Sequence, residues 1–394
     1  MTRADALKLV ARRLDVVGIA ALGALLVVVF PAFLDEFRLS VIAKYLSLAI
    51  AAVGIVLIWG YSGILSLGQG VFFGMGGYFM AMYLKLEASA PNLPDFMDWS
   101  SVESLPWFWE PFHSAWFAIA FILIVPMLIA FVFAFLMFRK RVGDVYFSII
   151  TLALSLTLSV FIVGQQGYTG GINGITDFKT FAGWDITSDA AKRTLYLITV
   201  LMLVAVIVIG RAITLTRLGK VLVAIRDRED RVRFSGYNPA TFKAFVFAVA
   251  AMYAAIGGAL YTMQVGLMSP TLVAPPSSVE MVIYAAVGGR TSLVGAAFGT
   301  LLVGLSRSFL SENFPGLWLF LLGALFLGIV LVLPTGLAGI LERLRARLQL
   351  QENSRAKLDD HVDAGRSVPA FASGPAPEQL DGHVETGPNV HQTQ

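Results

Sequence analysis

Residues 65–78 read LSLGQGVFFGMGGY, five glycines in fourteen positions. Glycine inside a helix costs about 0.5 to 1 kcal/mol relative to alanine, so the run needs a compensating environment. The rest of the chain supplies it. Of 394 residues, 57% are hydrophobic and 14% charged, with a mean hydropathy of +0.75, whereas soluble proteins carry about 25% charge. In lipid no hydrophobic drive brings helices together, and close approach through small residues takes its place. Gly70, Gly74 and Gly77 fall four and three apart on one helix face, and Gly68 and Gly76 add a second small surface. Two readings stand side by side. One is plain helix packing; the other is a break at residues 66–70 that turns backbone polar groups toward a pathway, as discontinuous helices do in transporters.

Working outward, apolar segments recur at about 14–34, 40–60, 62–85, 114–138, 145–165, 194–213, 241–266, 278–289, 293–310 and 317–334. Most approach the roughly 20 residues that cross a hydrocarbon core. The pattern is that of an all-α, polytopic membrane helix bundle with about ten transmembrane segments. Segment 278–289 is too short to cross alone and runs into Gly288, Gly289 and Arg290. It reads as a broken or re-entrant helix, tolerated only where protein or a watery cavity covers its backbone, with Arg290 anchoring the break. The basic start followed by an apolar stretch looks like a secretory signal. The stretch is too long for one and no small-residue cleavage site closes it, so it reads as a retained first span.

Lys and Arg set the orientation. They cluster in residues 1–13, at 139–141, between 211 and 233, and at 343–347, while 86–113 has neither but carries five acids and three tryptophans. Ten spans with both termini in the cytoplasm satisfy all of these. The expected organisation is a cytoplasmic N-terminus at 1–13 and a membrane domain at 14–340, with an external loop at 86–113 and a cytoplasmic loop at 214–240. A polar tail at 341–394 is too poor in apolar residues to fold.

Several chemistries are excluded. There is no cysteine, three of the four histidines lie in the tail, and His113 sits at the outer edge, so no thiolate or histidine site fits within the bundle. No nucleophile and base constellation is present. The one Gly-Lys pair, Gly219 and Lys220, lacks the glycine and hydroxyl that complete a phosphate-binding loop, so the chain cannot hydrolyse ATP by itself.

Residues 216–243, TRLGKVLVAIRDREDRVRFSGYNPATFK, place Leu222 and Ile225 on one side of a helical pattern and Lys220, Asp227 and Glu229 elsewhere. Such a helix either lies on lipid headgroups or docks a cytoplasmic partner. Its AIRDRE core, with the following GYNPATFK, resembles the coupling region of the permease subunits of branched-chain amino acid and urea ABC importers. The resemblance extends to GYSGILSLGQGVFFGMGGY at 60–78, to 236–261, and to VEMVIYAAVGGRTSLVGAAFGTLL at 279–302. LPDFMDW at 93–99, LPWFW at 105–109, FSIIT at 147–151, GGINGITDF at 170–178 and residues 308–339 are similar to the urea branch.

What the resemblance implies is a non-enzymatic transport subunit of the bacterial plasma membrane, the second permease of a pair. It would act beside a related permease, two cytoplasmic ATPases that use ATP and magnesium, and a secreted solute-binding protein. No cofactor is implied for this chain, and no nucleic acid. ATPase docking would fall to Leu222, Ala224, Ile225, Arg226, Asp227 and Glu229, with Leu222 and Ile225 buried in the partner's cleft and Arg226 and Asp227 pairing with its polar groups. Gln69 stands where the family pattern has histidine, and an amide donates and accepts hydrogen bonds without titrating.

Urea calls for neutral hydrogen-bonding groups, and the candidates for its pathway are Ser66, Gln69, Thr151, Gln264, Ser278 and Glu280. A carboxylate such as Glu280 within an apolar run costs about 2.5 kcal/mol or more at the bilayer centre; its alternative role is a helix-start cap. A branched-chain amino acid would instead need sites for an ammonium and a carboxylate. A passive channel would need no docking helix. The run AAIGGALY at 254–261 echoes FGMGGYFM at 73–80, a hint of related halves.

Overall fold

Away from water, each backbone N–H and C=O needs an internal partner, and apolar runs meet that need as helices. The computed structural model describes residues 18–317 continuously and isolated positions between 320 and 339. These belong to a compact unit of residues 1–342; a second unit, 343–394, lies outside the described residues. So do the expected N-terminal segment 1–13 and most of the expected tenth span, 317–334.

The main helices are α1 (Gly18–Phe33), α2 (Glu36–Ser62), α3 (Gln69–Ser89), α4 (Ala115–Arg139) and α5 (Asp144–Gly164). They continue as α6 (Asp189–Leu215), α7 (Arg217–Phe234), α8 (Pro239–Val265), α9 (Pro275–Gly288) and α10 (Leu293–Asn313). Six of these, α2, α4, α5, α6, α8 and α10, are long and apolar enough to cross a membrane. The polytopic helical fold matches the sequence reading. α9 is 14 residues, about 21 Å at 1.5 Å per residue, and does not reach across the roughly 30 Å hydrocarbon layer. The third expected segment, 62–85, starts later than the sequence suggests: Gly63, at φ +80°, ends α2, and residues 63–68 are not helical.

α2 and α8 form the centre, with α8 packed on α2, α3 and α4. Small residues bring these backbones together. A Cβ on Gly258 of α8 would collide with the Phe73 carbonyl oxygen of α3, and one on Gly76 with the Ala255 carbonyl oxygen. The two echoing segments therefore pack face to face, and the Thr262 hydroxyl crosses between them to the Gly77 carbonyl at 3.3 Å. α7 lies across the ends of α2, α6 and α8. The opposite end carries short turns and two ladders, Ile175–Thr176 with Leu267–Met268 and Thr180–Phe181 with Trp184–Asp185, both antiparallel.

Candidate functional site

The non-helical stretch 63–68 interrupts the bundle where its own backbone cannot satisfy itself. Unmatched buried polar groups cost about 1 to 3 kcal/mol each, so partners must come from elsewhere, and hydroxyls of α5 and α9 provide them. The Ser148 hydroxyl donates to the Leu65 carbonyl at 2.6 Å. The Thr151 hydroxyl accepts from the Leu67 N–H at 3.1 Å and donates to the Ser148 carbonyl at 2.9 Å. Ser278 of α9 accepts from the Gly70 N–H at 2.9 Å, and Ser66 accepts from the Gly68 N–H at 3.4 Å.

Further along the same face of α5, Ser155 donates to the Val273 carbonyl and lies 3.3 Å from the Ser278 hydroxyl. Ser159 donates to the Pro270 carbonyl at 3.3 Å. Ser148, Thr151, Ser155 and Ser159 thus form a ladder at helical spacings of three and four, which place residues on one face. The sequence reading named only Thr151 among them; the spacing was the available signal. Residues 266–274 connect α8 to α9 through the short strand Leu267–Met268 and a 3-10 turn at Pro270–Leu272, and this ladder holds the Pro270 and Val273 carbonyls.

Gln69 opens α3 and is fully buried, and neither Oε1 nor Nε2 has a hydrogen-bond partner. Of the six pathway candidates, Ser66, Gln69, Thr151 and Ser278 lie around the break. Gln264 does not: its Nε2 donates to Thr199 of α6 at 3.1 Å. Glu280 is not a helix-start cap, because the first turn of α9 holds no acid. Its carboxylate accepts from the Tyr284 hydroxyl at 2.6 Å and pairs with Arg307 of α10, a partner the sequence reading missed.

The glycines also resolve. Cβ atoms on Gly70, Gly74 and Gly77 would collide with Ser278, Val273 and Met268 respectively, and one on Gly68 with the Thr151 carbonyl. They seat segment 268–278 against α3, which is the packing role. The break exists as well, but hydroxyls occupy the Leu65 carbonyl and the Leu67, Gly68 and Gly70 N–H groups rather than leaving them open. At the second break, Gly288 ends α9 and Gly289 leaves the helix at φ +114°. The Arg290 side chain is exposed. Its main chain packs against α2, where the Arg290 carbonyl oxygen occupies the space a Cβ on Gly60 would need.

At the α7 end the expected helix is present but longer, and Arg228 breaks it at φ −155°, ψ 86°. Leu222 and Ile225 are buried inside this chain, which corrects the expectation that they insert into a partner. The Arg226 Nη1 donates to the Gly60 carbonyl at 2.6 Å, a cation at a helix C-terminus where the dipole favours it. Its Nε pairs with Asp227 at 3.2 Å. Glu229 is bonded by Lys243 at 2.7 Å and Arg233 at 2.6 Å. Burial alone would raise the Glu229 pKa, but these two cations hold it below the usual carboxylate range. Before the kink the exposed face is Lys220, Ala224 and Asp227 at spacings of four and three; beyond it Arg231 is exposed and Phe234 is 93% exposed.

The family model described as the permease component of branched-chain amino acid transport systems matches residues 37–330. The chain is similar to the high-affinity branched-chain amino acid transport system permease protein LivM of Escherichia coli strain K12, 26% identical over 357 residues covering 84% of this chain and 76% of the relative. It is 25% identical to LivM of Salmonella typhimurium over 311 residues, 73% and 67% of the two chains. The permease protein LivH of Salmonella typhimurium is 24% identical over 204 residues, 48% and 64%. No solved structure matches the chain.

Proposed function

The chain belongs to the family of permease components of branched-chain amino acid transport systems, and on that premise we propose that it forms the translocation pathway for urea in an ATP-driven importer. The observation that supports urea is the chemistry of the break. The side chains gathered there, Ser66, Gln69, Thr151, Ser155 and Ser278, are all uncharged, and the Gln69 amide has donors and an acceptor to offer. A neutral diamide needs such groups and no counter-ion. The ionic residue nearest along the chain, Glu280, is already neutralised by Arg307.

ATP and magnesium are used by a separate ATPase, which docks on the exposed face of α7 through Ala224 and Asp227. The membrane is the bacterial plasma membrane, with both termini cytoplasmic. A related permease, a pair of ATPases and a solute-binding protein complete the assembly. The similarity to two relatives named LivM and LivH, both permease proteins, supports the pairing of permeases.

A second reading, a branched-chain amino acid as substrate, is favoured by the names of those relatives. Uptake of labelled urea and labelled leucine, in cells carrying or lacking the chain and with or without ATP depletion, separates the two. Loss of ATP-dependent urea uptake alone is the expected outcome. Loss of leucine uptake instead would assign the amino acid, and uptake indifferent to ATP would sink the importer reading in favour of a channel.

A further inference from the structure

Lys243, near the start of α8, has a side chain 5% exposed. A buried ammonium is costly unless paired, and this one joins three other elements. Its Nζ lies 2.7 Å from Glu229 of α7 and 3.3 Å from Asp144 at the first position of α5. It also sits 5.1 Å from the centre of the Phe138 ring at the end of α4. The line continues without a gap. The Ser148 hydroxyl shares its one proton between the Leu65 carbonyl within the break at 2.6 Å, the stronger contact, and the Asp144 carbonyl at 3.1 Å.

The two halves of α7 therefore hold opposite sides of the break. Before the kink at Arg228, Arg226 grips the Gly60 carbonyl at the end of α2, and its Cγ lies 2.9 Å from where a Cβ on Gly63 would be. Beyond the kink, Glu229 grips Lys243 and through it the α5 turn that holds Leu65 and Leu67. A displacement of α7 that separates its halves changes the distance between these grips. Hydrogen-bonded elements with two arrangements are the means by which such coupling travels.

We infer that Lys243 is a positioning residue that transmits movement of α7 to the break at residues 63–68, and so couples the ATPase to the pathway. The inference rests on the proposed docking of an ATPase at α7. Its chemistry is an ion-pair relay, Glu229 to Lys243 to Asp144, ending on a hydroxyl that holds the Leu65 carbonyl.

The chain has no cysteine, so Leu65→Cys provides a single reporter at the break. Inverted membrane vesicles from cells making the complete transporter are treated with a methanethiosulfonate reagent with and without ATP and magnesium. Nucleotide is expected to change the labelling rate about tenfold, within the range of ordinary allosteric coupling. Lys243→Met is expected to abolish that change while the chain still co-isolates with the ATPase, and Lys243→Arg to restore it. A purely structural lysine would alter the basal rate or the amount of protein, not the response. Should Lys243→Met fail to reach the membrane, Asp144→Asn decides, with the same loss expected. A full nucleotide response in the variant that folds overturns the relay and leaves the docking reading standing. No response in the chain with Lys243 intact overturns the docking reading and the relay together.

Discussion

α4 and α8 are both 25 residues or longer and both apolar, yet they do opposite things. α4 is the most apolar of the six spanning helices and the least buried, 22% along its central stretch; α8 is less apolar than every other but α10 and is 89% buried. In a water-soluble protein the order would be reversed. In lipid, bulky aliphatic and aromatic side chains gain nothing by leaving the solvent, and the centre goes to residues that let backbones meet. α8 carries AVAAMYAAIGGAL through its middle, and the buried positions of α4, Ala118, Ile122, Pro126, Ala130, Ala134 and Phe138, recur every four residues with three alanines among them. Between α4 and α8, hydropathy does not sort inside from outside.

The sharpest way to break that contrast is to add bulk in both places. Gly258→Leu puts a side chain where the Phe73 carbonyl lies, and overlap with backbone has no cheap relaxation. We expect a loss of about 4 kcal/mol or more, seen as collapse of the monodisperse size-exclusion peak in detergent. Gly164→Leu, at a position with open space around it, should leave the peak intact. Equal behaviour of the two variants would end the distinction between core and shell.

Next in size is Gln69→Leu. The amide is buried with both polar atoms unmatched, and replacing such a group with an apolar one of similar volume recovers about 1 to 3 kcal/mol. The variant is expected to melt higher than the parent while urea uptake falls about tenfold, a stability gained at the expense of function. A higher melting point with unchanged uptake would remove Gln69 from the pathway. Thr151→Val is the complement: it strips the partner from the Leu67 N–H and is expected to cost about 1 kcal/mol or somewhat more in thermal unfolding, in a helix whose lipid-facing residues tolerate change.

How much of this was legible follows from the same physics. The glycine run pointed to close approach or a break near residue 68, and left the two as alternatives, because glycine's cost is local and written in the chain while its cause is not. The partners of the break were not legible, since Leu65 meets Ser148, and Gly70 meets Ser278, across long stretches of sequence. Serines and threonines in apolar helices often bond only their own preceding turn, so the α5 ladder did not stand out from Ser47 or Thr300, which do just that. Leu222 and Ile225 were recognised as the apolar face of α7, but composition could not say whether that face meets a partner or the chain's own bundle. Arg307 went unnoticed because a lone arginine near a helix end looks interfacial until Glu280 is seen beside it.

The polar end of the molecule gives a smaller effect with a definite sign. Glu229 has a folded-state pKa below its ordinary value of 4.5, so its contribution is present at neutral pH and is lost as pH falls through that lowered value. Stability in detergent should be insensitive to this group between about pH 6 and 8 and should decline below about pH 4.5, where the unfolded carboxylate begins to protonate. Glu229→Gln should flatten that acid limb. An unchanged acid limb would show that the Lys243 clamp contributes nothing to holding α7.

The smallest expected effect tests the shell directly. Leu128 on α4 is 59% exposed, a large side chain on a helix long and apolar enough to cross a membrane, where lipid or detergent tails would cover it. Removing three carbons from such a position deletes contacts that the tails remake, so Leu128→Ala should change thermal stability by no more than about 0.5 kcal/mol. A soluble core leucine treated the same way loses about 2 to 5 kcal/mol, so the two outcomes are well separated. A loss of that larger size in detergent would mean that α4 is covered by protein in the isolated state. Since no second chain is needed to bury α8, that result would locate the contact on the shell and leave the core as described.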